Sequence, residues 1–339
     1  MRDRKLRLSI LDQSVVRKGG TAAQAIAETI ETVKLAERLG YHRFWVSEHH
    51  NSVMIAGSTP EVLMVKLADE TSTIRIGSGG VMLPNHSALK VAENFRMLET
   101  LFPGRIDLGI GRAPGSDRIT ARMLNPSSGF SEEDYLQQLD HLQAYFNDEA
   151  QTQYGPLLAV PQSEGIPAQW ILGSSPNGSG VIAAKYGLGL VIARFINGNA
   201  SAYIVKQYKD NFQPSVQFPK PEVMLAITVL CADTEEKAAQ MRKLSDMNLL
   251  KFERGIYEPM GSYDEIAGYE FNDDELMRIR NNSGRIVSGT PEQVKAQLTT
   301  LAEEFGVNEI IVTTMTYSRK DRLKSFELLA EAFELKSKK

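Results

Sequence analysis

Phe44-Trp45-Val46-Ser47-Glu48-His49-His50-Asn51 is a short β-prone run that ends in a carboxylate, two imidazoles and an amide. Apolar β-formers bury readily, whereas Glu-His-His-Asn is buried only with partners or a task. The run follows residues 22–39, where Ile26, Ile30, Val33 and Ala36 recur at helical spacing and Gly40 is a stop signal. A helix leading into a strand, with the polar cluster just past the strand's carboxyl end, is the register in which α/β proteins place their chemistry.

Strand-like and helix-like segments alternate along the whole chain. Strands are expected at Leu6–Leu11, Phe44–Ser47, Ile74–Gly79, Gly104–Ile110, Gln169–Leu172, Leu188–Ala193, Glu222–Cys231 and Val307–Thr313. Helices are expected between them. Thr59-Pro60-Glu61 and Thr290-Pro291-Glu292 each open one with Pro in the first turn, and Ser131 opens another with Asp134 three residues on. Eight β/α alternations point to one domain over residues 1–339, a (β/α)8 TIM barrel, with a doubly wound open sheet as the alternative architecture. Two stretches break the rhythm. Residues 111–130 read as a long loop after strand four. Residues 252–286 read as an acidic insertion after the strand-seven helix, holding Tyr257, Tyr263, Tyr269 and Phe271, either a mobile lid or a plain elaboration.

The composition is that of an ordinary globular protein: 339 residues, 42% hydrophobic and 24% charged. A formal net charge of −4 and a pI near 5.9 argue against nucleic acid as the main partner. No apolar stretch approaches membrane length. The single cysteine, Cys231, lies in an apolar run and excludes disulfide scaffolds and cysteine-based zinc sites. With no leader pattern before the first strand, the expectation is a soluble, cytoplasmic protein.

Four groups of residues could carry chemistry at the carboxyl ends of these strands. His49 and His50 are neighbours on an extended segment, so one faces the mouth while the other braces a helix or loop. A structural pair is the plainer reading. A metal would need His49, His50 and His86, or carboxylates, to converge, and no His-x-His or His-Glu-x-x-His spacing supports that. Gly77-Ser78-Gly79-Gly80 closes strand three, followed by Val81-Met82-Leu83-Pro84; paired glycines admit a flat ligand or form a simple turn. Gly109-Ile110-Gly111-Arg112 ends strand four. Its glycine spacing is not a dinucleotide fingerprint, but Arg112 is placed for an anion or for a salt bridge to the long loop. Gly173-Ser174-Ser175-Pro176-Asn177-Gly178-Ser179 joins strand five to a helix. The free N–H groups, the helix dipole and the Ser174, Ser175 and Ser179 hydroxyls suit a phosphate monoester; ordinary N-capping is the alternative. Barrel phosphate sites more often follow strands seven and eight, so this one departs from that habit. A phosphate at one end and a flat group at the other is the shape of FMN.

Five segments in this order carry a resemblance. They are Trp45 to Asn51, Ile76 to His86, Pro103-Gly104-Arg105-Ile106-Asp107-Leu108-Gly109-Ile110-Gly111-Arg112-Ala113-Pro114-Gly115-Ser116-Asp117, Leu172-Gly173-Ser174-Ser175, and Ser288-Gly289-Thr290-Pro291-Glu292-Gln293-Val294. Over nearly its whole length the chain resembles the bacterial luciferase-like flavin-dependent monooxygenases, in particular the alkanal monooxygenase-like branch. The resemblance implies a (β/α)8 barrel enzyme that oxidises a small organic substrate such as an aldehyde. It also implies reduced FMN as co-substrate, delivered by a separate NAD(P)H-dependent flavin reductase, and O2, which forms a flavin C4a-hydroperoxide. It implies a homodimer, with His49 beside the isoalloxazine and Glu48 supporting a histidine. Gly79-Gly80 then matches a strand-three end that is often a non-proline cis peptide under the ring, with apolar Met82 near it. Arg112, Ser174 and Ser175 match flavin-phosphate contacts. Some relatives use the deazaflavin F420 instead. Rival readings are a metal-dependent hydrolase on the same barrel and a non-catalytic flavin-binding protein.

Overall fold

A computed structural model describes residues 5–174 and 178–337. The chain runs β1 (Arg7–Asp12), α1 (Ala22–Leu39), β2 (Arg43–Val46), α2 (Pro60–Asp69), β3 (Arg75–Met82), α3 (Ala88–Leu101), β4 (Ile106–Gly111), α4 (Arg118–Leu124) and α5 (Glu132–Phe146). A two-stranded antiparallel hairpin follows, β5 (Gln151–Thr152) and β6 (Gly155–Pro156). Then come β7 (Ala168–Gly173), α6 (Ser179–Tyr186), β8 (Gly189–Ala193), α7 (Tyr203–Asn211), β9 (Val223–Cys231), α8 (Glu235–Glu253) and α9 (Asp273–Asn282). The chain continues with β10 (Ile286–Gly289), α10 (Pro291–Phe305), β11 (Glu309–Thr313) and α11 (Arg319–Ala332).

Strands β1, β2, β3, β4, β7, β8, β9 and β11 pair in parallel and close into a barrel, with β11 returning to β1. These are the eight strands expected from the sequence, so the fold is a (β/α)8 barrel. All nine residues of β9 are buried, as expected of a parallel strand covered on both faces. Its length serves three neighbours: β8 pairs with Val223–Ala226 and β10 with Thr228–Cys231 on one edge, and β11 with Leu225–Thr228 on the other. Helix boundaries follow local chemistry. Thr21 and Gln24 form a capping box at the start of α1, and Gly40 ends it at φ 88°, a left-handed conformation that suits glycine.

The amino-terminal end of the barrel is filled by a buried ion network. Arg43 Nη1 lies 2.9 Å from Asp107 Oδ2 and Arg43 Nε 2.7 Å from Glu309 Oε1. Arg75 Nη2 reaches Asp107 Oδ1 at 2.7 Å, and Trp45 Nε1 donates to Asp107 at 3.1 Å. Above it, Leu11, Trp45, Trp170, Val191, Met224 and Ile311 form an apolar interior. The carboxyl ends of the strands are thereby left to the polar residues singled out above.

Two features depart from the sequence expectation. Residues 111–130 contain α4, capped by Asp117, which accepts from the N–H groups of Ile119 and Thr120. Strand β3 runs through Gly79-Gly80 to Met82 rather than closing there, and its register against β4 shifts between Ser78 and Val81. The 252–286 segment contains α9 and the start of β10, and it is stitched to the barrel. Lys18 N donates to the Met260 carbonyl at 3.0 Å, Lys18 Nζ lies 2.9 Å from Glu265, and Tyr263 OH donates to Asp321 at 2.8 Å.

Candidate active site

Glu48 follows β2 and is 1% exposed. Its Oε1 accepts from His50 Nε2 at 2.8 Å, His86 Nε2 at 2.9 Å and Asn85 Nδ2 at 3.2 Å. Its Oε2 accepts from the Met82 N–H at 2.9 Å. Burial alone would raise its pKa; the bonds from His50, His86 and Met82 outweigh that and hold it at about 2. Burial also pulls the His86 imidazole down, but the bond to Glu48 and its charge leave His86 above its ordinary value. His49 moves the other way. Burial lowers its pKa, only partly opposed by Glu48, and its Nδ1 shares a 3.1 Å hydrogen bond with Ser47 Oγ. The two adjacent histidines therefore divide as the alternation of an extended segment predicts, His50 to Glu48 and His49 to Ser47. Among the described residues, no three His, Cys, Asp or Glu side chains are placed to hold a metal ion.

Gly79-Gly80 is a non-proline cis peptide. A Cβ on Gly79 would stand 2.7 Å from Leu11 Cδ1 and 3.1 Å from Trp45 Cε3; one on Gly80 would stand 2.5 Å from Leu172 Cδ1 and 2.7 Å from the Gly109 carbonyl oxygen. Packing inside the barrel therefore already requires both glycines. Met82 lies beside β4, where a Cβ on Gly111 would meet its Cε at 2.6 Å.

Arg112 leaves the end of β4, 45% exposed in its side chain, with Nη1 3.0 Å from Glu132 Oε2. A rim ion pair of this kind contributes little and is readily exchanged for another anion. The same Nη1 lies 3.9 Å from where a Cβ on Gly178 would stand, and Gly178 is the residue before α6, at φ 110°. Ser179 opens α6 and fits against Gly173, where a Cβ would come within 2.5 Å of its Oγ. Ser174 offers its carbonyl to Asn197 Nδ2 at 2.7 Å. Ser175 lies outside the described residues. Arg112, Gly178 and Ser179 thus form one neighbourhood built from β4 and α6.

Asn85 and Tyr135 escape a reading of the sequence as site residues, and His86, weighed there only as a metal ligand, takes another role. His86 and Asn85 reach Glu48 across 38 and 37 positions of the chain. Tyr135 on α5 is 2% exposed, and its hydroxyl has no hydrogen-bond partner. Burial pushes its pKa up and the Arg112 charge opposes that, so the two are electrostatic neighbours. Only the position of Tyr135 four residues after an N-cap serine is visible in the sequence.

Residues 6–309 match the family model described as luciferase-like monooxygenase. The chain belongs to this family. It is an oxidoreductase of the monooxygenase type. The Bacillus subtilis protein YwcH is 46% identical over 329 residues, covering 96% of this chain and 98% of its own length. The N-acetyl-S-alkylcysteine monooxygenase of Bacillus subtilis is 37% identical over 334 residues, 96% of this chain and 98% of its own. Among solved structures, apo-MsnO8 superposes with a TM-score of 0.91 at 37% identity, covering 98% of this chain and 99% of that one. More distant structures share the fold. They include the oxygenating constituent of a diketocamphane monooxygenase in complex with FMN (TM-score 0.70, 18% identity, 96% and 97% covered). An F420-dependent secondary alcohol dehydrogenase is another (TM-score 0.67, 14% identity, 97% and 99% covered). No helix among the described residues is long and apolar enough to cross a membrane.

Proposed function

We propose that this monooxygenase binds reduced FMN, delivered by a separate flavin reductase, and uses O2 to oxidise a small organic substrate. An aldehyde and a thioether are the substrate classes to try first, the thioether because one relative is named for an S-alkylcysteine. The observation that carries the reading is the approach of Arg112, from β4, to the amino end of α6 at Gly178. A guanidinium, the first N–H groups of a helix, the Ser179 hydroxyl and the unpartnered Tyr135 hydroxyl are a donor set that fits a phosphate monoester.

The bound flavin supplies the electron pair that activates oxygen. The chain's own residues do the rest. Arg112, Ser179 and Tyr135 would hold the phosphate, with Ser174 shaping the approach to α6. Gly79-Gly80 offers backbone with no side chain to a flat ring, between the apolar side chains of Leu11 and Leu172. His49, kept neutral by burial, gives or takes a proton near neutral pH. Glu48 holds His50, His86 and the β3 end in place around it.

Anaerobic calorimetric titration of the full chain with reduced FMN and with reduced riboflavin tests the site. Arg112→Ala is expected to weaken FMN about tenfold or more, as loss of a charge-assisted contact does, and to leave riboflavin unchanged. Equal affinity of FMN for both proteins would dismiss the phosphate site, and tighter binding of F420 than of FMN would replace the cofactor. His49→Ala is expected to keep FMN affinity while product formation falls about a hundredfold and hydrogen peroxide release rises. Unchanged coupling would remove His49 from the chemistry.

A further inference from the structure

The loop after β8 touches Ser174, just past β7, on one side and the end of the 252–286 segment on the other. Asn197 Nδ2 donates to the Ser174 carbonyl at 2.7 Å, and Asn197 Oδ1 accepts from the Asn199 N–H at 3.1 Å. Both ends of the amide are engaged, so its orientation is fixed. Gly198, next along, is pressed against the 3-10 turn Ser283–Arg285 that leads into β10. A Cβ on Gly198 would stand 2.9 Å from Arg285 N, and one on Gly284 would stand 2.4 Å from the Gly198 carbonyl oxygen. Arg194 closes the same contact, donating from Nε to the Gly284 carbonyl at 2.9 Å and from Nη1 to the Ala200 carbonyl at 3.3 Å.

An anion at the amino end of α6 is attracted by N–H groups and repelled by any carbonyl oxygen turned toward it. Ser174 is the last described residue before that end, and Asn197 holds its carbonyl. We propose that Asn197 is a positioning residue for the flavin phosphate. It fixes the Ser174 carbonyl next to Gly173, which packs against Ser179 at the start of α6, while Gly198 and Arg194 brace the loop against Gly284 and Arg285. The inference rests on the FMN reading above. Asn197 touches no reacting atom, and its effect is confined to the phosphate end of the ligand.

The test compares reduced FMN with reduced riboflavin, which has the same ring and ribityl chain and no phosphate, by anaerobic calorimetry on the full chain. Asn197→Ala is expected to weaken FMN about fivefold, the effect of one hydrogen bond, and to leave riboflavin unmoved. Asn197→Asp keeps the shape but sets an acceptor against the Ser174 carbonyl, so a larger loss of FMN is expected, again without loss of riboflavin. If the alanine variant does not fold, the aspartate variant decides. Equal losses for both flavins, or none for either, overturn the role of Asn197. A wild-type chain that binds neither flavin overturns the FMN reading and this inference together. A wild-type chain that binds FMN, with both variants indifferent, overturns this inference alone.

Discussion

Glu48 receives four hydrogen bonds on two oxygens inside a 1%-exposed environment, so it has no face left for a substrate. Its effect passes through the imidazoles. His86 titrates above the ordinary 6.5 because of it, while His49 titrates below because burial dominates there. NMR titration of the imidazole C2 protons is expected to show that order. In Glu48→Gln, His86 should fall, since burial is then opposed only by the charge of Glu61. The stability consequences have opposite signs. His86 has a raised folded-state pKa, so its pairing stabilises the fold fully below about pH 6.5 and is lost as pH rises through the folded value. Glu48 has a lowered one, so its contribution is full above about pH 4.5 and is lost as pH falls toward about 2. Urea unfolding across that range should flatten at both ends in Glu48→Gln. The partition of His49 and His50 could be read from alternation along one strand. The joining of His86 to Glu48 could not, because it depends on β2 and β3 being neighbours in a closed barrel.

At the scale of elements, β3 shows how a glycine pair can be recognised for one reason and be required for another. The sequence places Gly79-Gly80 beside a ligand. The barrel shows that their missing side chains are already demanded by Leu11, Trp45, Leu172 and the Gly109 carbonyl. Gly80→Ala meets backbone and is expected to cost about 3 kcal/mol, whereas Gly79→Ala meets chiefly the movable end of Leu11 and should cost about 1 kcal/mol. Urea midpoints of the two variants check the order; equal costs would contradict it. Long periodic elements such as α1 and the eight barrel strands are visible in sequence because burial imposes a pattern over many residues. Those that escape are short. Helix α4 has seven residues and β10 has four, ending in Gly289. Each is formed by its neighbours as much as by its own composition: α4 by the Asp117 cap and the bond from Asn51, β10 by the overhang of β9. The β5–β6 hairpin escapes for the same reason, with only two residues in each strand.

Across the whole molecule the two ends of the barrel carry different tasks. The amino end holds Arg43, Arg75, Asp107 and Glu309 in a buried network, with Arg43 over the Trp170 ring at 4.8 Å. Neighbouring arginines hold Asp107 down at about 2 despite complete burial. Asp107→Asn leaves those cations short of a counter-charge and is expected to cost about 3 kcal/mol in urea unfolding. FMN affinity of the folded variant should not change, because the network lies at the opposite end from Arg112 and α6. A fall in affinity without a fall in stability would show that the ends are not separate. The apolar layer between them has an optical consequence. The chain's two tryptophans, Trp45 and Trp170, both lie there with ring centroids 6.2 Å apart, and Trp45 adjoins Gly79. Excitation of either indole starts inside the barrel, next to the glycine pair. A yellow chromophore laid on that pair would drain the excitation, so the unlabelled protein would announce occupancy by the dimming of its own ultraviolet emission.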